Sequence, residues 1–143
     1  MEDMVKKAEA FATKDHAGQF DKAGLPYITH PKAVAAMLDD EKAKIVAFLH
    51  DTVEDTETTI EEIRAEFGDE IAAAVDLLTH KDGVDYFDYV LGTKANELAR
   101  KVKMADLTHN MDLSRIKEPT EKDFKRIEKY KKAYALLKET EGN

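Results

Sequence analysis

The chain has 143 residues, 43% of them hydrophobic, with 30 acidic against 22 basic side chains and a net charge of −8. That is the size of one ordinary domain with enough apolar material for a core, and the charge argues against partners such as nucleic acid polymers or anionic membrane surfaces. The absence of cysteine excludes disulfides, thiolate catalysis and cysteine-type zinc sites, so any metal must be held by imidazole and carboxylate.

Met4, Val5, Ala8 and Phe11 recur at helical spacing and predict a first amphipathic helix over about 4–13. Residues 14–29, with two glycines and a proline, read as a loop. Thr29-His30-Pro31 looks like a helix start, with Thr29 or His30 near the cap and Pro31 in the first turn, where its missing N–H costs least. Asp39 to Lys42 opens the next helix, which Ile45, Val46, Phe48 and Leu49 carry into His50-Asp51-Thr52-Val53-Glu54-Asp55. If that stretch stays helical, His50 sits under Glu54 and Asp51 under Asp55, forming one polar corner.

Thr58 or Thr59 with Glu61 or Glu62 resembles a capping box before a short helix closed by Gly68, and Asp69 starts another that Lys81-Asp82-Gly83 breaks. Tyr86, Phe87, Tyr89, Val90 and Leu91 form a helical cluster ended by Gly92, with aromatics partly on a cleft. Ala95 to Ala105 continue in helical rhythm up to Asp106, Pro119 interrupts, and a last helix runs from Thr120 to about Glu139. Long alternating β-branched runs are absent, so the fold class is all-α, a compact single-domain helical bundle of seven to nine helices over 1–143. No stretch approaches ~20 apolar residues, and Met1 to Val5 lack a signal-peptide pattern. A soluble, unprocessed, cytoplasmic protein with no membrane partner is expected.

His50 and Asp51 can both reach one divalent ion, and a catalytic site needs further ligands while leaving positions open. His30 and Asp106 fit best, because each falls where a helical pattern would otherwise continue apolar. The order His30, His50-Asp51, Asp106 reproduces the H…HD…D pattern of the HD-domain metal-dependent phosphohydrolases. More narrowly, Gly24 to Pro31, Ala47 to Thr56, Glu66 to Gly68 and Val102 to Met111 resemble the hydrolase domain of the RelA/SpoT homologues and the small alarmone hydrolases, over roughly residues 5–115.

The resemblance implies that His30, His50, Asp51 and Asp106 bind one ion, usually Mn²⁺ in that family, and that Glu54 and Asp55 position or activate the attacking water. It implies release of pyrophosphate from the 3′ position of guanosine tetra- or pentaphosphate, with Lys22 and Asn110 contacting substrate. Departures bear on the substrate. Asp21 stands where the family carries arginine, and Leu107 and Leu113 replace a family arginine and threonine, with Asp112 between them in place of a second arginine. The chemistry therefore carries over more directly than guanine specificity. Alternatives are another nucleotide substrate (an adenine alarmone, a nicotinamide dinucleotide phosphate or a nucleoside monophosphate) or a non-catalytic nucleotide-sensing module. Homo-oligomerisation stays open, and little length remains for a synthetase domain.

Plainer readings stand beside these. Asp106 alone reads as an N-cap for a helix over Leu107 to Met111, and His109 as packing or hydrogen-bonding beneath the site. His16 and His80 read as surface or loop residues, and Lys22 as a solvated loop lysine. Tyr86, Tyr89, Tyr130 and Tyr134 read as core, and the lysines around Lys129 as a solvated face.

Overall fold

The computed structural model describes residues 2–21, 24–112 and 118–138; Lys22 and Leu113 lie outside them. Among the described residues the elements are α1 (Glu2–Asp15), α2 (Thr29–Ala36), α3 (Glu41–Leu49), the single turn α4 (Thr52–Asp55), α5 (Ile60–Phe67), α6 (Asp69–Leu78), α7 (Tyr86–Thr93), α8 (Glu97–Asn110) and α9 (Glu121–Lys138). The all-α class expected from the hydrophobic rhythm is the one that forms.

Local chemistry sets most boundaries. Asp40 accepts from the Lys42 amide to start α3, Thr59 from Glu62 to start α5, and Asn96 from Ala99 to start α8. Gly68 separates α5 from α6 at φ 93°, a left-handed conformation that a side chain would resist. Gly92, expected to end α7, instead lies inside it, and Asp85 caps the start of that helix.

The chain departs from one continuous helix at the His50-Asp51 step: α3 stops at Leu49, and Thr52 begins a separate turn. Thr52 explains part of this, since its buried hydroxyl donates to the Leu49 carbonyl and competes locally with the helix ladder.

Helix α3 is buried along its length through Ala43 and Ile45 to Leu49 and packs against α1, α2, α6 and α8. Each fully buried aliphatic side chain such as Val46 or Leu49 contributes about 1.5–3 kcal/mol relative to exposure. Helix α8 touches α2 and α3 on one side and α7 and α9 on the other. The start of α2, the end of α3 and the middle of α8 are thereby brought together. A smaller second cluster of Val90, Leu107, Ala133 and Leu137 fastens α9.

The start of α9 carries a reciprocal cap: Asp123 accepts from the Thr120 amide, and Thr120 Oγ1 accepts from the Asp123 amide. The Thr120 backbone bond and Arg126 hold the Asp123 carboxyl down to about 2. Because this lies below the unfolded value of about 3.9, its stabilisation is present above pH ~4 and lost as pH falls through about 2. Asp123→Asn is expected to melt lower than wild type at pH 7 and to lose less on acidification to pH 2. Parallel melting-temperature curves for the two proteins across that range would refute it.

Candidate metal centre

His30, in the first turn of α2, is 5% exposed, His50, at the end of α3, 2%, and Asp106, in the middle of α8, 5%. Asp106 is thus no cap. Its Oδ1 lies 2.7 Å from His30 Nε2 and 3.3 Å from His50 Nε2. Asp51 Oδ2 lies 3.1 Å from His50 Nε2 and 3.9 Å from His30 Nε2. Ligand atoms of His30, His50 and Asp106 fall within 4.8 Å of one another, a span suited to sharing one ion. Two borderline nitrogens with hard carboxylate oxygens suit a divalent cation, so the donor chemistry fits the metal expected from the sequence.

Each of these four side chains is also held from outside. His50 Nδ1 donates to the Ala47 carbonyl at 2.5 Å, which leaves Nε2 facing the cluster. His30 Nδ1 meets His109 Nδ1 at 2.7 Å, so one proton is shared between the two rings and His109 sits beneath the site. Tyr27 donates its hydroxyl to Asp51 Oδ2. Asp106 accepts from Asn110 Nδ2 at 3.2 Å on Oδ1 and from Lys103 Nζ at 3.1 Å on Oδ2.

The charges are tightly matched. Burial opposes ionisation of His50, but Asp51 and Asp106 together keep its imidazole protonated well above the usual range. Burial likewise opposes the charged carboxylates; His50 brings Asp51 down to about 2, and Lys103, then His30 and His50, hold Asp106 well below the ordinary carboxylate range.

A cavity of about 190 Å³ opens over the cluster, lined by His30, Asp51 and Asp106 with Tyr27, Glu54, His80, Tyr86, Tyr89, Lys103, Asn110 and Tyr130, while His50 lies behind them. A larger surface groove, lined in part by Asp40, Lys42 and Glu70, is elsewhere and holds none of the cluster. Glu54 therefore reaches the site, and its Oε1 accepts the His80 amide at 2.7 Å. Asp55 is exposed and outside the lining. Loss of solvent, then Asp51 and Glu54, pushes its carboxyl up to about 6.

Tyr27, Lys103 and His80 were not legible as site residues. Lys103 is 8% exposed, and its ammonium lies 5.0 Å from the Tyr89 ring. A lysine three residues before an aspartate inside an apolar helix was the available signal. His80 stacks on Tyr89 at 4.6 Å and is no plain surface residue. Tyr86, Tyr89 and Tyr130 pack into the second cluster and also face the cavity, while Lys129, read as solvated, places its Nζ 4.1 Å over Tyr86. His16 is buried against Tyr27 instead of lying on the surface.

Helices that deliver two imidazoles and two carboxylates to one buried cluster define an all-α metal-site domain. The chain belongs to the HD-domain family, whose model matches residues 8–135 and so takes in most of α9. It is 40% identical over 134 residues to the probable GTP pyrophosphokinase of Mycobacterium leprae, covering 81% of this chain and 16% of that protein. It is 36% identical over 111 residues to the guanosine-3′,5′-bis(diphosphate) 3′-pyrophosphohydrolase of Haemophilus influenzae, covering 67% of this chain and 16% of that protein. The chain thus spans about a sixth of these curated relatives' length. A solved metazoan SpoT orthologue, described as hydrolysing ppGpp, superposes with a TM-score of 0.78 over 94% of this chain and 85% of its own. At 22% identity that likeness is one of fold.

Proposed function

We propose that this chain is a metal-dependent phosphohydrolase acting on a phosphorylated nucleotide, with guanosine 3′,5′-bis(diphosphate) as substrate and the 3′-diphosphate as the group removed. The observation that carries this reading is the clustering of His50 with His30, Asp51 and Asp106, the last three of which line one cavity together with Glu54. The name of the Haemophilus influenzae relative supports this substrate.

His30, His50, Asp51 and Asp106 would hold the ion, with Mn²⁺ the species assigned. When bound, such an ion supplies positive charge against the phosphate and acidifies water. Attack of water on the proximal 3′ phosphorus breaks its bond to the ribose O3′, which takes up a proton from solvent, and releases pyrophosphate and the 5′-phosphorylated nucleoside. Glu54, fixed by the His80 amide, takes the proton from that water. Asp55, whose carboxyl titrates at about 6, stands next to it to pass the proton on to solvent near neutral pH. Asn110, already bonded to Asp106, orients the sugar-phosphate end, and Lys22 meets the nucleotide. A cavity of about 190 Å³ is smaller than the roughly 300–1,000 Å³ that enclose a drug-sized ligand. It accommodates the reacting phosphates and leaves the base outside.

The full chain incubated with Mn²⁺ and guanosine 3′,5′-bis(diphosphate) is expected to release pyrophosphate, and EDTA to stop it. No turnover on that nucleotide or on a panel of adenine, nicotinamide and nucleoside monophosphate substrates would defeat the assignment. Turnover on another member of the panel alone would keep the chemistry and move the substrate. That second reading is favoured by Asp21 and Leu107 and by a lining in which the lysine present, Lys103, is committed to Asp106.

A further inference from the structure

Tyr27 sits at the base of a small hairpin that leaves α1 and returns to α2. Its backbone amide donates to the Gln19 carbonyl at 2.8 Å, and Phe20 and Pro26 form a bridge just inside. Its ring packs against His16 at 4.8 Å and His30 at 5.7 Å between centroids. The ring is therefore held without help from the hydroxyl. That hydroxyl donates to Asp51 Oδ2, the same oxygen that lies 3.1 Å from His50 Nε2.

A carboxylate rotates in a broad, roughly two-fold well about its last torsion, so nothing in an aspartate at a helix end makes it present one chosen oxygen. A carboxylate oxygen has lone pairs enough to accept one hydrogen bond and still face a cation. We propose that Tyr27 is a positioning residue of the ion site, its hydroxyl holding the Asp51 carboxylate with Oδ2 turned toward the His30 and His50 imidazoles. This rests on the ion-site reading above and adds to it a residue from outside the ligand set. It also gives the hairpin a second link to the acidic turn: Gln19 Nε2 donates to the Asp55 carbonyl at 3.4 Å, so the segment that holds Lys22 touches both ends of the stretch from Asp51 to Asp55.

The test is a Mn²⁺ titration of the full chain, followed by calorimetry or by the electron paramagnetic resonance of the free ion, on wild type, Tyr27→Phe, Asp51→Ala and the double variant. Partners that orient metal ligands from outside are commonly worth about 10- to 100-fold in affinity, and Tyr27→Phe is expected to weaken Mn²⁺ binding within that range. In the Asp51→Ala background the same change should cost less than about twofold, because the acceptor it acts through is gone. Melting in EDTA should fall only slightly, since the ring contacts with His16 and His30 remain and one hydrogen bond is lost, and KM for the nucleotide at saturating Mn²⁺ should not move.

Unchanged affinity in Tyr27→Phe, an equal loss in both backgrounds, or a raised KM with intact ion binding would each overturn the inference, the last by placing the hydroxyl on substrate. A markedly lowered EDTA melt without added loss of Mn²⁺ affinity would assign Tyr27 a structural role and overturn it as well. Wild-type protein that takes up no Mn²⁺ sinks the ion-site reading and this one with it. Wild type that binds while Tyr27→Phe binds equally sinks this one alone.

Discussion

Asp106→Ala is expected to remove Mn²⁺-dependent turnover and to destabilise the protein at the same time. Its carboxylate is where His30, His50, Lys103 and Asn110 meet. A bound ion's share of transition-state stabilisation is several kcal/mol, and each 1.4 kcal/mol is tenfold in rate, so turnover should fall about 10³-fold or more. The stability cost has a separate origin. Lys103, 8% exposed, would be left buried without its carboxylate partner, and removing one half of a buried ion pair costs about 3–5 kcal/mol. Asp106→Asn separates the two effects in part: it keeps the shape and a neutral acceptor for Lys103 but not the compensating charge, so some of the stability should return while turnover stays low. Pyrophosphate release and thermal denaturation on the two variants check this, and wild-type turnover in either would refute the role of Asp106 as ligand.

Glu54→Gln should behave in the opposite way, leaving stability and Mn²⁺ affinity intact while lowering kcat. Glu54 is exposed, and substitutions at such positions usually stay within about 0.5 kcal/mol. Glutamine also retains the oxygen that accepts the His80 amide. What it loses is the ability to accept a proton from water, and positioned general bases contribute about 10²- to 10⁴-fold. Steady-state kcat at saturating Mn²⁺ and nucleotide is the measurement. Asp55→Asn is the comparison, expected to cost less because Asp55 lies outside the cavity lining. A larger loss in Asp55→Asn than in Glu54→Gln would exchange the two roles.

Periodicity was enough to read the fold, because the apolar faces of α3, α6 and α8 repeat at helical spacing and the short polar side chains of Asp40 and Asn96 cap α3 and α8. His30, His50 and Asp106 were legible for a related reason, as polar groups in positions that a helix would otherwise fill with core. The step at His50-Asp51 was not, since a threonine hydroxyl bonding back to Leu49 contributes to it and the pattern of apolar residues does not change there. Nor were Tyr27 and Lys103. A tyrosine after a proline reads as loop, and a lysine between Val102 and Met104 reads as solvated. Their roles come from residues 24 and three positions away, respectively, and only the first required the folded chain. For Lys103 the aspartate was close in sequence, and the missing knowledge was that both face inward. Lys22, Leu113 and the nucleotide contacts expected of that loop lie outside the described residues.

Helix α9 brings Tyr130 to the cavity wall, yet it is fastened by the small cluster of Val90, Leu107, Ala133 and Leu137 and takes no part in the main core around α3. The candidate ligands come from α2, the α3–α4 junction and α8, all of which take part in or border the main core, although α8 also reaches the small cluster through Leu107. The floor of the site and one of its walls thus belong to different layers of stability. Fraying of the carboxy-terminal helix would unroof the cavity while leaving the ligand cluster assembled. A fragment cut at about residue 115 would keep its ligands and lose a wall.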